Sequence, residues 1–80
     1  MDSVPFRLGR LRHVIQIAGV EKTTIWKRVK AGLAPEPVRA GTWPLHEHEQ
    51  VSRARLRGAT DDEIRELVAQ LKADRQKVTS

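Results

Sequence analysis

The fold of this chain is decided by the stretch Gly19–Leu33, which reads GVEKTTIWKRVKAGL. The stretch begins with a glycine turn and continues as a basic amphipathic helix, which we predict from about Lys22 to Ala31. At roughly 100° per residue, Ile25 and Val29 share one face of this helix. The opposite arc is polar and consists of Thr23, Thr24, Lys27 and Lys30. We therefore expect the apolar side to pack against a hydrophobic core, whereas the polar side offers ammonium and hydroxyl groups to an external ligand.

A second amphipathic helix is predicted just before this stretch. One apolar face recurs there at the i, i+3, i+4, i+7 spacing and consists of Leu11, Val14, Ile15 and Ala18. Gly19 follows as the C-cap, where a positive φ is needed, and Val20 can fill the turn from below. Arg7, Arg10 and Arg12 lie near the helix start, where cations oppose the helix dipole, so we interpret them as lying near phosphates. Helix, glycine turn and second helix form the helix-turn-helix pattern.

Strand character is confined to one segment, Val38–Pro44. The two prolines within residues 35–37 exclude a helix and favour an extended path before it. We predict a very short hairpin with residues 41–42 at its tip, from which Arg39 projects as a contact to a phosphate backbone. A short β-hairpin that follows a helix-turn-helix is called a wing.

The remaining segments are predicted as an N-terminal arm and a third helix. Residues 1–7 form a loose arm, with Phe6 and Leu8 against the core. We predict a third helix from about Leu45 to about Arg57. Pro44 suits the first turn of this helix. Its weak inner stripe consists of Leu45, His48, Val51 and Ser52, and it is closed by Gly58. The cations near its C-terminus suit the helix dipole; they are Arg53, Arg55 and Arg57.

A fourth helix begins at a capping box made by Thr60 and Glu63. Its apolar stripe is the cleanest in the chain and consists of Ile64, Leu67, Val68 and Leu71. We expect the helix to end near Ala73 or Arg75. The stripe either folds back onto the third helix or binds another copy; fold-back is favoured because an exposed stripe would aggregate.

Together these elements predict a mainly α chain of one domain. Residues 1–80 form a winged helix-turn-helix with a short β-hairpin wing, in which the core spans about 7–58. A C-terminal helix over about 60–75 is added to it. No segment is apolar enough for a membrane span or a signal peptide, so we expect a cytoplasmic protein with no membrane partner.

The charge of the chain favours a polyanionic partner. The 80 residues carry a net charge of +5, and residues 1–58 hold eleven Lys or Arg against five acids. There is no cysteine, which excludes disulfides and thiolate ligands. The run His46–Glu49 does not have the i, i+4 spacing of a zinc helix. We therefore predict no catalytic residue, no metal and no cofactor, and the chain is not expected to be an enzyme.

The chain resembles the AlpA-like and excisionase group of small winged helix-turn-helix proteins, whose topology is related to the DNA-binding domains of the MerR class. The resemblance covers about residues 7–55 and is most specific in the run Thr23–Gly32. Weaker matches are Arg10-Leu11, Val14, Gly19-Val20, Pro35, Pro37-Val38-Arg39, Trp43, Glu47 and Val51. The wing is shorter than the family's usual one, and the helix after Thr60 is additional to the minimal family domain.

The resemblance implies a DNA-binding protein of a phage-like or bacterial mobile element. Such a protein acts as an excision (recombination directionality) factor, as a transcriptional regulator, or as both. It implies cooperative binding of several copies to double-stranded DNA, with an integrase or recombinase as a further partner. The alternative function is an adaptor that docks a recombinase or another protein through its C-terminal helix.

The predicted contacts to DNA differ in role. Lys27 and Thr23 are expected to read bases, whereas Arg28 and Arg39 are expected to meet phosphates. Trp26 is interpreted as a core residue whose indole N–H can also donate to a phosphate. The complete predicted DNA-binding set is Arg10, Arg12, Lys22, Thr23, Thr24, Trp26, Lys27, Arg28, Lys30 and Arg39.

Overall fold

The structure is a computed structural model that describes residues 7–79, with side chains up to Arg75. Within this range the chain is mainly helical, as predicted, with four helices and one two-stranded antiparallel sheet. In chain order the elements are β1 (Leu8–Gly9), α1 (Leu11–Ala18), α2 (Lys22–Lys30), β2 (Trp43–Pro44), α3 (Leu45–Leu56) and α4 (Asp61–Thr79). The bounds of α1, α2 and α3 agree with the predicted ones to within a residue or two.

A first core holds α1 and α2 against the start of α3. Its buried residues are Val14, Ile25, Trp43 and Leu45, and Val20 packs against them from the turn between α1 and α2. That turn is made by Gly19, which adopts φ 70° and donates its N–H to the carbonyl oxygen of Ile15 at 2.8 Å. No atom lies within 4 Å of the place where a Cβ would be, so glycine is needed here for its backbone conformation alone.

The predicted arm of residues 1–7 lies outside the described residues except for Arg7, and the two residues that follow it form β1. Leu8 pairs with Pro44 and Gly9 with Trp43, and the Leu45 N–H donates to the Arg7 carbonyl at 2.8 Å. Leu8 does not reach the core, because 51% of it is exposed. Phe6 lies outside the described residues. Gly9 permits the close approach, since a Cβ there would lie 2.6 Å from the side chain of Leu45.

The predicted hairpin is present only as a tight turn. Arg39 and Thr42 form a single antiparallel bridge, closed at the tip by Gly41 at φ 76°. Trp43 is not part of this hairpin. It belongs to β2, where it pairs with Gly9 of β1. Pro44 is not in the first turn of α3; it has extended backbone, lies in β2 and serves as the N-cap. The sheet therefore joins the N-terminal segment to the start of α3.

A second core packs α4 onto α3. Val51, Ile64 and Leu71 are buried in it, with Leu67 and Val68 partly buried beside them. The fold-back arrangement of the α4 stripe is thus the one observed. The capping box is confirmed, since the Thr60 N–H donates to Glu63 Oε1 at 2.8 Å and the Glu63 N–H donates to Thr60 Oγ1 at 3.2 Å.

The predicted end of α4 is wrong, because the helix continues to Thr79. No proline or glycine interrupts the segment after Ala73, so the backbone has no local reason to stop there. Arg75 lies inside the helix and binds Glu47 of α3 through two hydrogen bonds of 2.7 and 2.8 Å. Among the described residues, no helix is both long and apolar enough to cross a membrane.

Candidate nucleic-acid interface

The outer side of α2 presents the polar arc that the spacing predicts. Ile25 is 1% exposed and Val29 is half-buried, and together they anchor the inner side. Thr23, Lys27 and Lys30 of this arc are exposed, whereas Thr24 is half-buried. Outside the arc, Lys22 is exposed at the start of the helix and Arg28 is half-buried on the flank next to Thr24. Because α2 is short and fixed at Ile25 and at the Gly19 turn, these side chains extend from a rigid support.

Trp26 lies on the other flank of α2, and its assignment to the core is wrong. It is 40% exposed, and its ring meets the edge of Trp43 at a centroid distance of 5.1 Å. Trp43, which is 2% exposed, occupies the core position instead. Trp26 is about 80° away from the middle of the Ile25–Val29 stripe, so only one side of its ring can be covered.

Two further predicted cations, Arg39 and Arg10, lie at the turn of residues 39–42, which directly precedes Trp43, the residue that the Trp26 ring contacts. Arg39 is exposed on this turn. Arg10 extends toward the same turn, since its Nη1 atom lies 3.8 Å from the place that a Cβ on Gly41 would occupy. The backbone of Arg10 is held by His13, whose Nδ1 accepts the Arg10 N–H at 3.1 Å. The structure thus brings Arg10 to the tip of the hairpin, which the sequence spacing does not indicate.

Other predicted cations are placed differently. Arg12 is exposed on α1, and no contact joins it to α2 or to the turn among the residues that the structure describes. Arg7 forms an ion pair with Glu49 of α3, so its charge is already compensated. Of the three arginines near the start of α1, Arg10 is the one whose guanidinium approaches the turn that carries Arg39 in the described part of the chain.

The half-buried flank of α2 contains a residue that sequence reasoning missed. Arg28 and Arg55 of α3 line the same small cavity, together with Ser52 and His48. Arg55 was assigned with Arg53 and Arg57 to the helix dipole. Its position continues the inner stripe His48, Val51 and Ser52 at helical spacing, so the periodicity could have separated it from its neighbours.

A second missed feature is a buried ion pair between α3 and α4. Glu47 is 2% exposed and is held by Arg75. The sequence signal is weak, because Glu47 is not a member of the inner stripe of α3 and its partner is 28 residues away.

The chemistry available on this surface is hydrogen-bond donation and positive charge. Among the described residues, no group of three or more His, Cys, Asp or Glu side chains could hold a metal ion. In the run His46–Glu49, Glu47 is bound by Arg75 and His48 packs against Trp43 at a centroid distance of 5.7 Å. Burial lowers the pKa of His48 to about 4, and Arg75 adds to this, while a hydrogen bond to the Pro35 carbonyl opposes it.

Comparison of the chain with models of protein families, with curated proteins and with solved structures found no match.

Proposed function

We propose that this chain binds duplex DNA as a small winged helix-turn-helix protein, with α2 as the helix that enters the major groove. The observation that carries the proposal is the exposed polar arc of α2, on which Thr23, Lys27 and Lys30 lie together on a helix that itself contains no acidic residue. Ammonium and hydroxyl groups in this arrangement suit base edges and phosphate oxygens. The balance of eleven cations to five acids in residues 1–58 supports the same polyanionic partner.

The roles of the side chains follow from their directions. Lys27 extends from the middle of the exposed arc, and Thr23 lies one turn before it, so both approach base edges. Arg39 projects from the turn at residues 39–42, beside the Arg10 guanidinium, and meets the phosphate backbone. Trp26 is exposed enough for its indole N–H to donate to a phosphate on the same side.

The biological role rests on the resemblance of residues 7–55 to excisionase-type proteins. We propose an excision factor or a transcriptional regulator of a mobile element, which acts as several copies on DNA and with a recombinase as partner. The alternative function is an adaptor that docks a recombinase or another protein through its C-terminal helix. Ile64 and Leu71 of the apolar stripe on α4 are buried against α3, which leaves less apolar surface on this helix for a partner and supports the DNA-binding function.

The test is a comparison of three lysine and arginine variants on specific and scrambled DNA, after selection of a preferred site from random duplexes. Lys27→Ala should weaken specific binding by about 1–3 kcal/mol and flatten discrimination against scrambled DNA. Arg39→Ala should weaken both DNAs alike. Lys72→Ala, which removes the same charge from an exposed position on α4, is the matched control and should leave both affinities nearly unchanged.

Two results would contradict the proposal. If Lys27→Ala lowers the affinity for both DNAs equally, Lys27 is a phosphate contact and does not read bases. If the Lys27 variant behaves like the Lys72 control, α2 does not face DNA at all. A footprint on the preferred site then separates the two biological roles, because repeated sites beside a recombination junction indicate excision and one site over a promoter indicates regulation.

A further inference from the structure

Two arginines from different helices lie together on the flank of α2. Arg28 of α2 and Arg55 of α3 border one cavity of about 10 Å³, and both side chains are half-buried. Neither of them forms an ion pair with any residue that the structure describes. This distinguishes them from Arg7, Arg65 and Arg75, each of which has a carboxylate partner.

The donors of this pair are incompletely used. Arg55 Nε is buried and has no hydrogen-bond partner among the described residues, and its Nη2 makes one long contact of 3.4 Å to the Leu33 carbonyl. Burial and the Arg55 charge lower the pKa of Arg28, while the Asp61 charge opposes this. Two guanidinium groups that border one cavity without an ion-paired carboxylate repel each other, which costs stability in the free protein.

A phosphate group fits such a pair. It carries the missing negative charge, and its oxygens accept two parallel hydrogen bonds from a guanidinium fork. The cavity itself has room for about one water molecule, so the anion must bind on the solvent side, where both arginines are partly exposed.

The position of the pair relative to α2 indicates where such a phosphate comes from. Arg28 and Trp26 are two residues apart and therefore about 200° apart around the helix, on opposite flanks. A helix that lies in the major groove is bordered by the phosphates of both strands, since the groove is only about 12 Å wide. Trp26 and the turn at residues 39–42 lie toward one strand, which leaves the Arg28 flank toward the other.

We propose that Arg28 and Arg55 form one phosphate-binding site, which receives a backbone phosphate of the DNA strand opposite the hairpin. The assignment of the phosphate to DNA rests on the proposed function, whereas the anion site itself does not. Arg55 is then a DNA contact supplied by α3, and it aligns α2 in the groove by joining the same phosphate as Arg28.

The anion site is tested without DNA by following the arginine Nε–H signals in ¹⁵N NMR spectra during a titration with pyrophosphate at constant ionic strength. The signals of Arg28 and Arg55 should shift saturably, and that of the exposed Arg53 should not. Arg28→Gln should abolish the shift at Arg55. An equal shift at Arg53, or an Arg55 titration that is unchanged in Arg28→Gln, would overturn the site.

The source of the phosphate is tested by a double-mutant cycle on DNA. Arg28→Gln and Arg55→Gln should each lower affinity roughly tenfold, as expected for one charged hydrogen bond. The fold-loss of DNA affinity in the double variant should be smaller than the product of the two single fold-losses, because both side chains bind one phosphate. Arg53→Gln removes the same charge from the same helix and should change affinity less than threefold.

The remaining outcomes are also decisive. Strictly multiplicative losses in the cycle would mean two separate phosphates and would overturn the shared site on DNA. If circular dichroism shows that Arg55→Gln is unfolded, Arg55→Lys replaces it; this change keeps the charge but not the fork and should still weaken DNA binding more than Arg53→Lys. If the chain binds no DNA while the pyrophosphate titration succeeds, the proposed function fails and the anion site stands.

Discussion

His48 is a buried titratable residue that can make the stability of this small protein depend on pH. It is 4% exposed, lies beside Trp43 and donates to the Pro35 carbonyl. Since its Nε2 has no partner among the described residues, Nδ1 is the nitrogen that donates. The neutral imidazole therefore joins α3 to the segment after α2. If Nε2 were also protonated, its N–H would be buried without an acceptor.

We expect the free energy of unfolding to fall as the pH is lowered from about 7 to 4. The pKa of His48 is lowered from 6.5 to about 4 in the folded chain. Above pH 6.5 neither state binds the proton, whereas between 6.5 and 4 only the unfolded state does, so acid favours unfolding. The loss attributable to His48 should be about 2–3 kcal/mol, measured by urea unfolding at each pH.

His48→Gln is the control for this pH dependence, because glutamine keeps hydrogen-bonding groups but does not titrate. Its stability should depend less on pH over the same range, and the difference between the two curves isolates His48 from the carboxylates. Parallel curves would show that His48 is not responsible for the acid sensitivity.

At the scale of the element, α4 is attached to α3 by an apolar contact and an ionic one. Ile64 and Leu71 are buried in the second core, and Arg75 closes the far end through Glu47. Arg75 also donates to the Glu36 carbonyl at 2.8 Å, so it joins α4 to the segment after α2 as well. A buried ion pair of this kind adds little to folding stability compared with an apolar pair of the same size. Removal of one partner is costly, however, because it leaves the other charge buried and uncompensated.

We expect Arg75→Met to lower the free energy of unfolding by about 3–5 kcal/mol, because it leaves the Glu47 carboxylate buried without its partner. Lys72→Met removes the same charge from the same helix, where the partner Glu36 is half-exposed, and should cost at most about 1 kcal/mol. Urea denaturation followed by circular dichroism measures both variants. Replacing Glu47 by Leu in the Arg75→Met background should recover much of the loss; no recovery would indicate that packing, not charge, explains it.

At the scale of the whole molecule, the size of the surface limits what one copy can recognise. Under the proposed function, one copy would approach DNA with the nine residues of α2 and one tight turn, and it would therefore read only a few base pairs. A mismatch costs about 1–3 kcal/mol, so a site this short cannot be distinguished in a genome. Several copies bound side by side would combine their contacts through effective concentration.

We therefore expect cooperative binding to DNA that carries repeated sites. A titration with duplexes of one, two and three repeats should give a per-site affinity that rises with the number of repeats. Duplexes in which the second repeat is moved by half a helical turn serve as the control, because they place the copies on opposite faces. Equal affinity per site on all of these duplexes would exclude contacts between copies.

The features that could be predicted from the sequence are the local ones, both in the candidate nucleic-acid interface and in the helices. The Gly19 turn, the capping box at Thr60 and three of the four residues of the exposed arc of α2 were correctly predicted; the fourth, Thr24, is half-buried. Each depends on residues within one or two helical turns, where periodicity, a positive φ or a side-chain cap acts locally. The sequence by itself therefore determined α1, α2 and the order of the helices.

Only the tertiary structure decided which distant residues meet. It paired Gly9 with Trp43, placed Trp43 and not Trp26 in the core, and joined Glu47 to Arg75. The same holds for Arg28 and Arg55, since a charged residue on a helix gives no local sign of its neighbour on another helix. Such contacts are selected by the global packing of two cores that share α3, and local spacing carries no information about them.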